Sequence, residues 1–500
     1  MMERLLWRPV LVKVLFWSLL AAVLMINVLT LKDGHNWGDD FAQYILGAQN
    51  LTAGKPFLDP AMRAYNIVYP PLYSVFLMPW IKLFGLNFVL LKSLNVLLWM
   101  LGVWGVYRLV RLHSGREAAR AVALLAAWSS YFFFYKQNLL ADILFSVEFI
   151  WAVFFFERYA IKRASRWFHV FLVMACLGIL TRAIGVSLFA AGGLCLILDR
   201  HKDGSFLKKL VWLSLSLGAV ILIQNLLFGA APGYFQRILE DPAGYFWGCV
   251  HHAGQPWRAL AWCLVPGATV LTEVPARLIA GMPFLGVCLY GLTAAGLAFM
   301  TVGKRLSFAA CVFGIYMAAL FFWSWQYQSS YTFARFLLPV VGIVFYALAA
   351  VGRSFSGHLK SAGATLFRVI VAAVLFLNAW NILCNFGFND DQIGRPAATE
   401  MFAWVRAHVK ENDRVIFLRP RLLRLMTGVY VYSADSAPAL SENGDWYAIV
   451  HRHRTDPVRD YVLAAPPGIF QPVLSNDTFV IYRAASHEFH YPHLETVPVR

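Results

Sequence analysis

Two adjacent carboxylates follow the first long apolar run of the chain. Asp39 and Asp40 stand in the stretch NWGDDFAQYILGAQNLTAGKPF, which begins at Asn36, just beyond apolar residues 10–31. A carboxylate can accept the proton of a hydroxyl group as that hydroxyl attacks an electrophile. Alternatively, Asp39 caps the helix predicted for the residues that follow, because carboxylates stabilise helix N-termini. Capping and catalysis do not exclude each other, so both roles stay open.

Ionisable residues at the ends of later apolar runs form a second group of candidates. They are one acidic residue, Asp142 in KQNLLADILFS, and three basic residues, Lys136, Arg182 and Arg335. Ionisable groups at membrane depth are costly and by default indicate a function. Arginine and lysine can stabilise the negative charge that develops on a departing phosphate. The structural alternatives are that Asp142 caps its own helix and that Arg335 pairs with an aspartate.

An aromatic segment, YPPLYSVFLMPWIKLFG, supplies further candidates for contact with a lipid phosphate. Tyr69 and Tyr73 belong to its opening YPPLY, and Lys82 lies near its end. The segment is a plausible wall for a lipid-facing groove, although interfacial tyrosine and tryptophan are also common in membrane belts. Lys82 and the nearby Lys92 contact a ligand or, alternatively, extend towards the lipid headgroups as interfacial anchors.

The composition is that of an integral membrane protein. Of the 500 residues, 59% are hydrophobic and only 14% are charged, whereas a soluble domain has about 45–50% apolar and about 25% charged residues. The net charge is +16, but the basic residues occur in short clusters between apolar runs. This pattern follows the positive-inside rule and excludes a nucleic-acid partner.

The apolar runs predict eleven transmembrane helices, with the N-terminus in the cytoplasm and the C-terminus outside. The predicted spans are residues 10–31, 88–109, 118–135, 139–159, two within 168–198, then 210–228, 280–302, 306–322, 333–351 and 369–386. Basic flanks on both sides of 168–198 require two crossings, which places Arg182 at the tip on the outer side. Residues 69–85 are predicted to be a re-entrant or interfacial helix, because a crossing there would put Arg108–Arg120 outside.

After residue 386 the composition changes to that of a small α/β domain. Apolar residues at helical spacing from Met401 to Val409 predict a helix, a strand begins at Val415, and a turn at Asn476 joins two further strands. The predicted fold class is therefore mostly α, a polytopic membrane protein with a C-terminal periplasmic α/β domain at 387–500. The membrane domain, 1–386, carries outer loops at 32–87 and 229–279.

Metal and disulfide chemistry have weak support in the sequence. The seven cysteines are scattered, although Cys249 and Cys263 could pair in the second outer loop. His251 and His252 are adjacent, so their side chains point in different directions and favour no common metal. A divalent metal cofactor stays open.

The predicted position of the charges favours a lipid-linked donor. Outside the cell there is no nucleotide pool, whereas a sugar on a polyprenyl phosphate keeps its leaving group at the membrane surface. The predicted partners are therefore a polyprenyl-phosphate-linked sugar, membrane lipids and a glycan, lipid or protein acceptor. The candidate contacts for the donor phosphate or lipid are Arg335, Arg182, Lys136, Lys82, Tyr69 and Tyr73.

Five motifs occur in an order that resembles a known family. They are GDDFAQYILGAQNLTAGKPF, YPPLYSVFLMPWIKLFG, KQNLLADILFS, LTRAIG and FARFLLPV. With the predicted topology, they resemble the multispanning GT-C glycosyltransferases, in particular the bacterial relatives of the dolichyl-phosphate-mannose protein mannosyltransferases and of the aminoarabinose lipid A transferase. The resemblance covers nearly the whole chain, including RPRLLRLMTGVYVY in the tail. The basic, cysteine-poor composition indicates a bacterial cytoplasmic membrane.

The resemblance also implies roles for individual residues. The family performs an inverting transfer from a polyprenyl-phosphate sugar, with an acidic residue of the first outer loop as base. That place usually holds Asp-Glu or a single Asp, and here the pair is Asp-Asp. The DFAQY form makes Asp40 the first choice for the base and Asp39 a second, positional or metal-linked carboxylate. Asp142 resembles the family's second acidic position, and Arg335 resembles an arginine that contacts the donor phosphate.

Other functions are compatible with a basic outer groove. A flippase or transporter of lipid-linked saccharides would bind the same ligand, but inverted repeats or charges at the midplane are not evident. A polymerase or ligase of surface polysaccharide would use the same donor and should carry a very large outer loop. A membrane scaffold would leave Asp40 dispensable.

Overall fold

A computed structural model describes most of the chain. The described residues are 2–58, 69–199, 204–228, 241–252, 254–261, 276–301, 307–323, 333–389, 391–410, 412–433, 445–453 and 456–484. They divide into two compact units. The first contains Met1–Leu31, Pro70–Tyr73 and Leu90–Phe388, and the second contains Lys32–Tyr69, Ser74–Val89 and Asn389–Arg500. The first loop is thus grouped with the C-terminal tail, which the predicted boundary at residue 387 does not anticipate.

Helices make up most of the described chain before residue 389. They are α1 (Met2–Leu29), α2 (Asp40–Thr52), α3 (Leu72–Phe84), α4 (Phe88–His113), α5 (Arg116–Ala127), α6 (Ser130–Tyr135), α7 (Ala141–Lys162), α8 (Ser165–Thr181), α9 (Val186–Leu198), α10 (Phe206–Phe228), α11 (Pro242–His251), α12 (Gly254–Ala261), α13 (Ala276–Thr301), α14 (Phe308–Trp323) and α15 (Leu338–Cys384), with short 3-10 turns at Ala183–Gly185 and Arg335–Leu337.

Length and apolarity identify candidate membrane spans among these helices. In the described part of the chain, three helices meet both criteria, at Val10–Leu29, Phe88–His113 and Phe206–Phe228, and seven more apolar helices are shorter. The count of eleven stays a prediction. Helix α3 has 13 residues, a length of about 20 Å at 1.5 Å per residue. This is shorter than a hydrocarbon core of about 30 Å, and the non-spanning placement of the helix stays a prediction.

The predicted break within residues 168–198 is confirmed. Helix α8 ends at Thr181, Arg182 has extended backbone, and a 3-10 turn leads into α9. A Cβ atom on Gly185 would lie only 2.5 Å from the backbone carbon of Gly178. The two helices therefore approach each other so closely that only glycine fits at this corner.

One predicted span is broken in the structure. Residues 118–135 do not form one helix, because the chain breaks between α5 and α6, where Ser129 has extended backbone. The Asn378 side chain of α15 accepts a hydrogen bond of 2.9 Å from the Ser130 amide, so the break leaves this buried donor satisfied.

The predicted spans 333–351 and 369–386 lie largely on one unbroken helix. Helix α15 has 47 residues, a length of about 70 Å. The intervening sequence has basic residues and glycines but no proline. Glycine costs a helix only about 1 kcal/mol relative to alanine, so nothing in this stretch forces the turn that the two spans require.

The C-terminal tail folds as predicted, as helices on a small sheet. Its elements are α16 (Pro396–His408), β1 (Arg414–Phe417), α17 (Pro420–Thr427), β2 (Val431–Tyr432), β3 (Trp446–His451), α18 (Pro457–Ala464), β4 (Phe470–Ser475) and β5 (Phe479–Ala484). The strand order is β2-β1-β3-β5-β4. Strands β2, β1 and β3 are parallel, and β5 is antiparallel to both β3 and β4. The Asn476 side chain accepts hydrogen bonds from the amides of Thr478 and Phe479, which confirms the predicted turn.

One tryptophan attaches the first loop to the core of the second unit. The Trp37 ring contacts the rings of Phe402, Phe417 and Phe479 at centroid distances of 5.4–6.0 Å. Its backbone amide donates to the Gln392 side chain at 3.3 Å. Trp37 therefore fixes the loop two residues before the carboxylate pair.

Most of the second outer loop, 229–279, lies outside the described residues. The described parts are α11, α12 and the start of α13. Cys249 is buried, but Cys263 falls outside these parts, so their pairing stays a prediction.

Candidate functional site

The carboxylate pair stands at the start of α2. Asp39 occupies the N-cap position, but its side chain makes no capping bond to its own helix. Instead, Asp39 Oδ1 accepts a hydrogen bond of 3.1 Å from the backbone amide of Leu422 in α17. The predicted capping role is therefore wrong for the α2 amides, since this carboxylate binds the first turn of a helix far away in sequence.

Arg421 faces the same carboxylate. Its Nε lies 3.6 Å from Asp39 Oδ2, and both side chains are largely buried. Burial raises the pKa of Asp39 above its ordinary value, although Arg421 and the Leu422 amide act in the opposite direction. Burial lowers the pKa of Arg421, but Asp39, Tyr69 and Asp40 together outweigh it, so the pKa is raised and the guanidinium stays charged.

Asp40 has a different contact. The Tyr69 hydroxyl donates a hydrogen bond of 2.7 Å to Asp40 Oδ1. The Tyr69 ring stacks on Tyr44 at 5.4 Å, and the Arg421 guanidinium lies 5.3 Å from the centre of the same ring. We call Asp39, Asp40, Tyr44, Tyr69 and Arg421 the carboxylate cluster. All five residues belong to the second unit.

A second cluster, in the first unit, brings together three of the predicted residues. An Arg182 nitrogen lies 2.6 Å from Asp142 Oδ1. The guanidiniums of Arg182 and Arg335 lie 4.7 and 4.8 Å from the ring centre of Phe336. The Tyr316 hydroxyl donates to the Phe336 carbonyl at 2.7 Å. We call these five residues the arginine cluster.

The formal charge of the arginine cluster is positive, because it contains two guanidiniums and one carboxylate, of which Arg182 and Asp142 form an ion pair. Asp142 lies in the first turn of α7, whose N-cap is Leu140. Its Oδ2 is buried and has no hydrogen-bond partner among the residues that the structure describes. A buried polar atom without a partner is costly.

Lys136 lies in a closed polar environment. Its side chain is fully buried, and Nζ donates to Asn27 Oδ1 at 3.0 Å and to the Thr30 hydroxyl. The ammonium also lies 4.0 Å from the centre of the Phe133 ring. These contacts join α1 to the corner after α6, which favours a structural role for Lys136.

Tyr73 and Lys82 occupy different environments on α3. The buried Tyr73 hydroxyl donates to Asn95 Oδ1 at 3.2 Å, and the Asn95 amide donates to the carbonyls of Lys136 and Asn138. Lys82 is exposed in the last turn of α3. Of these two predicted lipid contacts, Tyr73 is therefore buried and Lys82 is exposed.

The described residues do not fit a metal at the carboxylate pair. They contain no group of three histidine, cysteine, aspartate or glutamate side chains that could hold an ion. The oxygens of Asp39 face Arg421 and a backbone amide, and a cation beside a guanidinium would be repelled. His251 and His252 have ring centres 5.0 Å apart at the end of α11. No step of the chemistry is therefore assigned to a metal.

Sequence reasoning did not identify Arg421, Tyr44, Tyr316 or Phe336. For Arg421 a signal existed, because it lies at the N-terminus of α17, where the helix dipole disfavours a cation. An arginine at such a position is stabilised by a nearby acid. Which acid it meets could not be read, because Asp39 is several hundred residues away along the chain.

Comparisons with known proteins agree on the fold. Residues 68–228 match a family described as dolichyl-phosphate-mannose-protein mannosyltransferase, and no curated protein matches. ArnT from Cupriavidus metallidurans in the apo state has 15% identity and a TM-score of 0.56, with 97% of this chain and 100% of that chain covered.

Two further solved structures are similar to the chain. The same ArnT bound to undecaprenyl phosphate has 16% identity and a TM-score of 0.56, covering 96% of this chain and 99% of that one. An oligosaccharyltransferase from Archaeoglobus fulgidus, tethered with an acceptor peptide, has 11% identity and a TM-score of 0.55, covering 88% of this chain and 69% of that one. At these identities the likeness shows a shared fold.

Proposed function

Proceeding from the GT-C glycosyltransferase fold of this chain, we propose that it transfers a sugar from a polyprenyl-phosphate donor to an acceptor hydroxyl at the outer face of a bacterial cytoplasmic membrane. The observation that carries the proposal is the carboxylate cluster, in which Tyr69 orients Asp40 at the start of α2. The donor class is supported by the related ArnT, whose structure holds undecaprenyl phosphate. The proposed orientation has a cytoplasmic N-terminus and a periplasmic C-terminal domain.

We assign the general base to Asp40 and a positioning role to Asp39. The carboxylate of Asp39 binds the Leu422 amide and faces Arg421, so it connects α2 to α17. The phenol of Tyr69 restricts the orientation of Asp40 through a hydrogen bond to its carboxylate. A general base must be held in a fixed direction towards the proton that it accepts.

The arginine cluster is the proposed site of the donor phosphate. Arginine recognises phosphate through paired N–H groups, and Arg182 and Arg335 flank one aromatic ring. Asp142 fixes Arg182 through one oxygen, while its second oxygen can accept a hydrogen bond from a sugar hydroxyl. The exposed Lys82 is a further candidate for the lipid phosphate, whereas the closed environment of Lys136 favours a structural role.

The proposed reaction balances without a cofactor. The acceptor oxygen attacks the anomeric carbon, its proton passes to Asp40, and the bond from the anomeric carbon to the phosphate oxygen breaks. The electron pair of that bond leaves with the polyprenyl phosphate, whose charge the arginines stabilise. Attack from the face opposite the phosphate inverts the anomeric configuration.

An assay of product release separates this proposal from transport. Purified protein is incubated with a polyprenyl-phosphate sugar and candidate lipid, glycan and protein acceptors, and free polyprenyl phosphate and glycosylated acceptor are measured. We expect both products in equal amounts, with inverted configuration. Binding of the donor without release, for every lipid-linked sugar and acceptor tested, would contradict the proposal and favour a flippase or transporter.

A further inference from the structure

Three arginines and two aromatic rings alternate across α4, α7 and α8 in the first unit. Arg108, on α4, lies 5.4 Å from the ring centre of Phe154 on α7. Arg158, also on α7, lies 5.8 Å from Phe154 and 3.8 Å from the ring centre of Trp167 on α8. Arg166 lies 5.0 Å from the same tryptophan. We call these five residues the arginine–aromatic patch.

The charge of the patch is not balanced within the described chain. There, no carboxylate lies within ion-pair distance of Arg108, Arg158 or Arg166. Other basic residues in the same part of the sequence are paired, Arg120 with Glu117 at 2.9 Å and Arg163 with Asp199 at 2.6 Å.

Three like charges from three helices repel one another, and the contacts with the two rings offset only part of this repulsion. An anion bound between the guanidiniums would remove the repulsion. Arginine is suited to a phosphate group in particular, because its planar N–H fork matches the phosphate oxygens.

The surroundings of the patch are apolar and exposed. Trp104 packs against Trp151 at 5.5 Å and is 51% exposed, and Leu101 and Ile161 are 41% and 45% exposed. Exposed apolar side chains beside tryptophan and arginine are typical of the interface between hydrocarbon and headgroups. A ligand here would meet a cationic site and an apolar surface together.

We propose that the arginine–aromatic patch binds the phosphodiester headgroup of an anionic phospholipid. The guanidiniums contact the phosphate oxygens, and the acyl chains lie along the exposed apolar residues of α4 and α7. The positive-inside pattern predicts that this end of the helices faces the cytoplasm. The site is thus predicted to lie on the other side of the membrane from the sugar-transfer chemistry, and it does not depend on the proposed function.

The test compares two variants that remove the same number of charges. In Arg158→Gln/Arg166→Gln the patch loses two guanidiniums. The control is Arg111→Gln/Arg116→Gln. It removes two exposed arginines that are predicted to lie on the same side of the membrane and that contact no aromatic ring in the described structure. Each full-length protein is delipidated in neutral detergent and titrated with phosphatidylglycerol, cardiolipin or phosphatidylcholine, and bound lipid is counted by native mass spectrometry.

We expect the wild type and the control to bind phosphatidylglycerol and cardiolipin in preference to phosphatidylcholine. The patch variant should bind them about 30-fold more weakly, because each basic residue near an anionic surface contributes about a factor of five. Equal weakening in the control would show a diffuse charge effect and overturn the proposal. Equal affinity for phosphatidylcholine, or displacement of the lipid by millimolar inorganic phosphate, would also overturn it.

Discussion

Removal of the Arg421 guanidinium should destabilise the second unit by about 3–4 kcal/mol. Arg421→Ala leaves the carboxylate of Asp39 buried beside the Leu422 amide without its cation. Loss of one partner of a buried ion pair costs about 3–5 kcal/mol. The lower end of this range applies, because the distance from Arg421 Nε to Asp39 Oδ2 is 3.6 Å and Asp39 keeps its hydrogen bond from the Leu422 amide. The lost contact with the Tyr69 ring adds about 0.5–1 kcal/mol.

A double variant shows whether the cost is electrostatic. In Asp39→Asn/Arg421→Ala no buried charge remains, so we expect at least about 1.5 kcal/mol of the loss to be recovered. The assay is unfolding of purified protein in detergent, followed by tryptophan fluorescence. Arg406→Ala is the matched control, because Arg406 is exposed on α16, and an exposed substitution should change stability by less than about 0.5 kcal/mol.

Additive effects in this cycle would contradict the predicted interaction between Asp39 and Arg421. If the double variant loses as much as the sum of Asp39→Asn and Arg421→Ala, the two side chains do not interact. A loss for Arg421→Ala no larger than that for Arg406→Ala would likewise show that Arg421 does not stabilise the carboxylate cluster.

Three further predictions concern the pH dependence, the corner at Arg182 and the anchor of the first loop. Burial raises the pKa of Asp39 above 3.8, so the folded protein retains this proton where the unfolded chain loses it. As pH rises above about 4, the free energy of unfolding should therefore fall more steeply in the wild type than in Asp39→Asn. Parallel pH profiles of the two proteins would contradict this prediction. Gly185→Ala should open the corner at Arg182, because the new Cβ atom would clash with the Gly178 backbone. We expect it to reduce the rate of sugar transfer at least about tenfold in the assay of polyprenyl phosphate release. The control is Gly193→Ala, whose Cβ atom would make only an ordinary contact and should leave the rate unchanged. Trp37→Ala should destabilise the second unit by about 3–5 kcal/mol, and unchanged thermal unfolding would refute its anchoring role.

Local sequence signals predicted much of the fold. The basic flanks of residues 168–198 indicated two helices, and the structure ends one at Thr181 and begins the next at Val186. The turn at Asn476 was also predictable, because the hydrogen bonds that its side chain accepts come from the amides of nearby residues. Such features depend on a few consecutive residues, which is the range over which periodicity and turn chemistry act.

Features that depend on residues far apart in the chain could not be predicted from the sequence. The break at Ser129 lies in an apolar run without proline or glycine, and the buried amide of the next residue, Ser130, donates to Asn378 from another helix. The carboxylate cluster likewise depends on Arg421, which is far from Asp39 in sequence. Residue types suggested that both aspartates matter, but the arginine that separates their roles is defined only by tertiary packing.

The rate of sugar transfer by Asp40→Asn shows whether Asp40 is the general base. Release of polyprenyl phosphate from a saturating donor is measured in single-turnover mode, with donor affinity measured in parallel. The control is Asp33→Asn, an exposed aspartate of the same loop whose side chain accepts only a local hydrogen bond from the Gly34 amide in the described structure. A general base contributes about 100- to 10,000-fold, so we predict at least about a 100-fold loss of rate with unchanged donor affinity. Turnover at the wild-type rate would contradict the assignment of Asp40 as the general base.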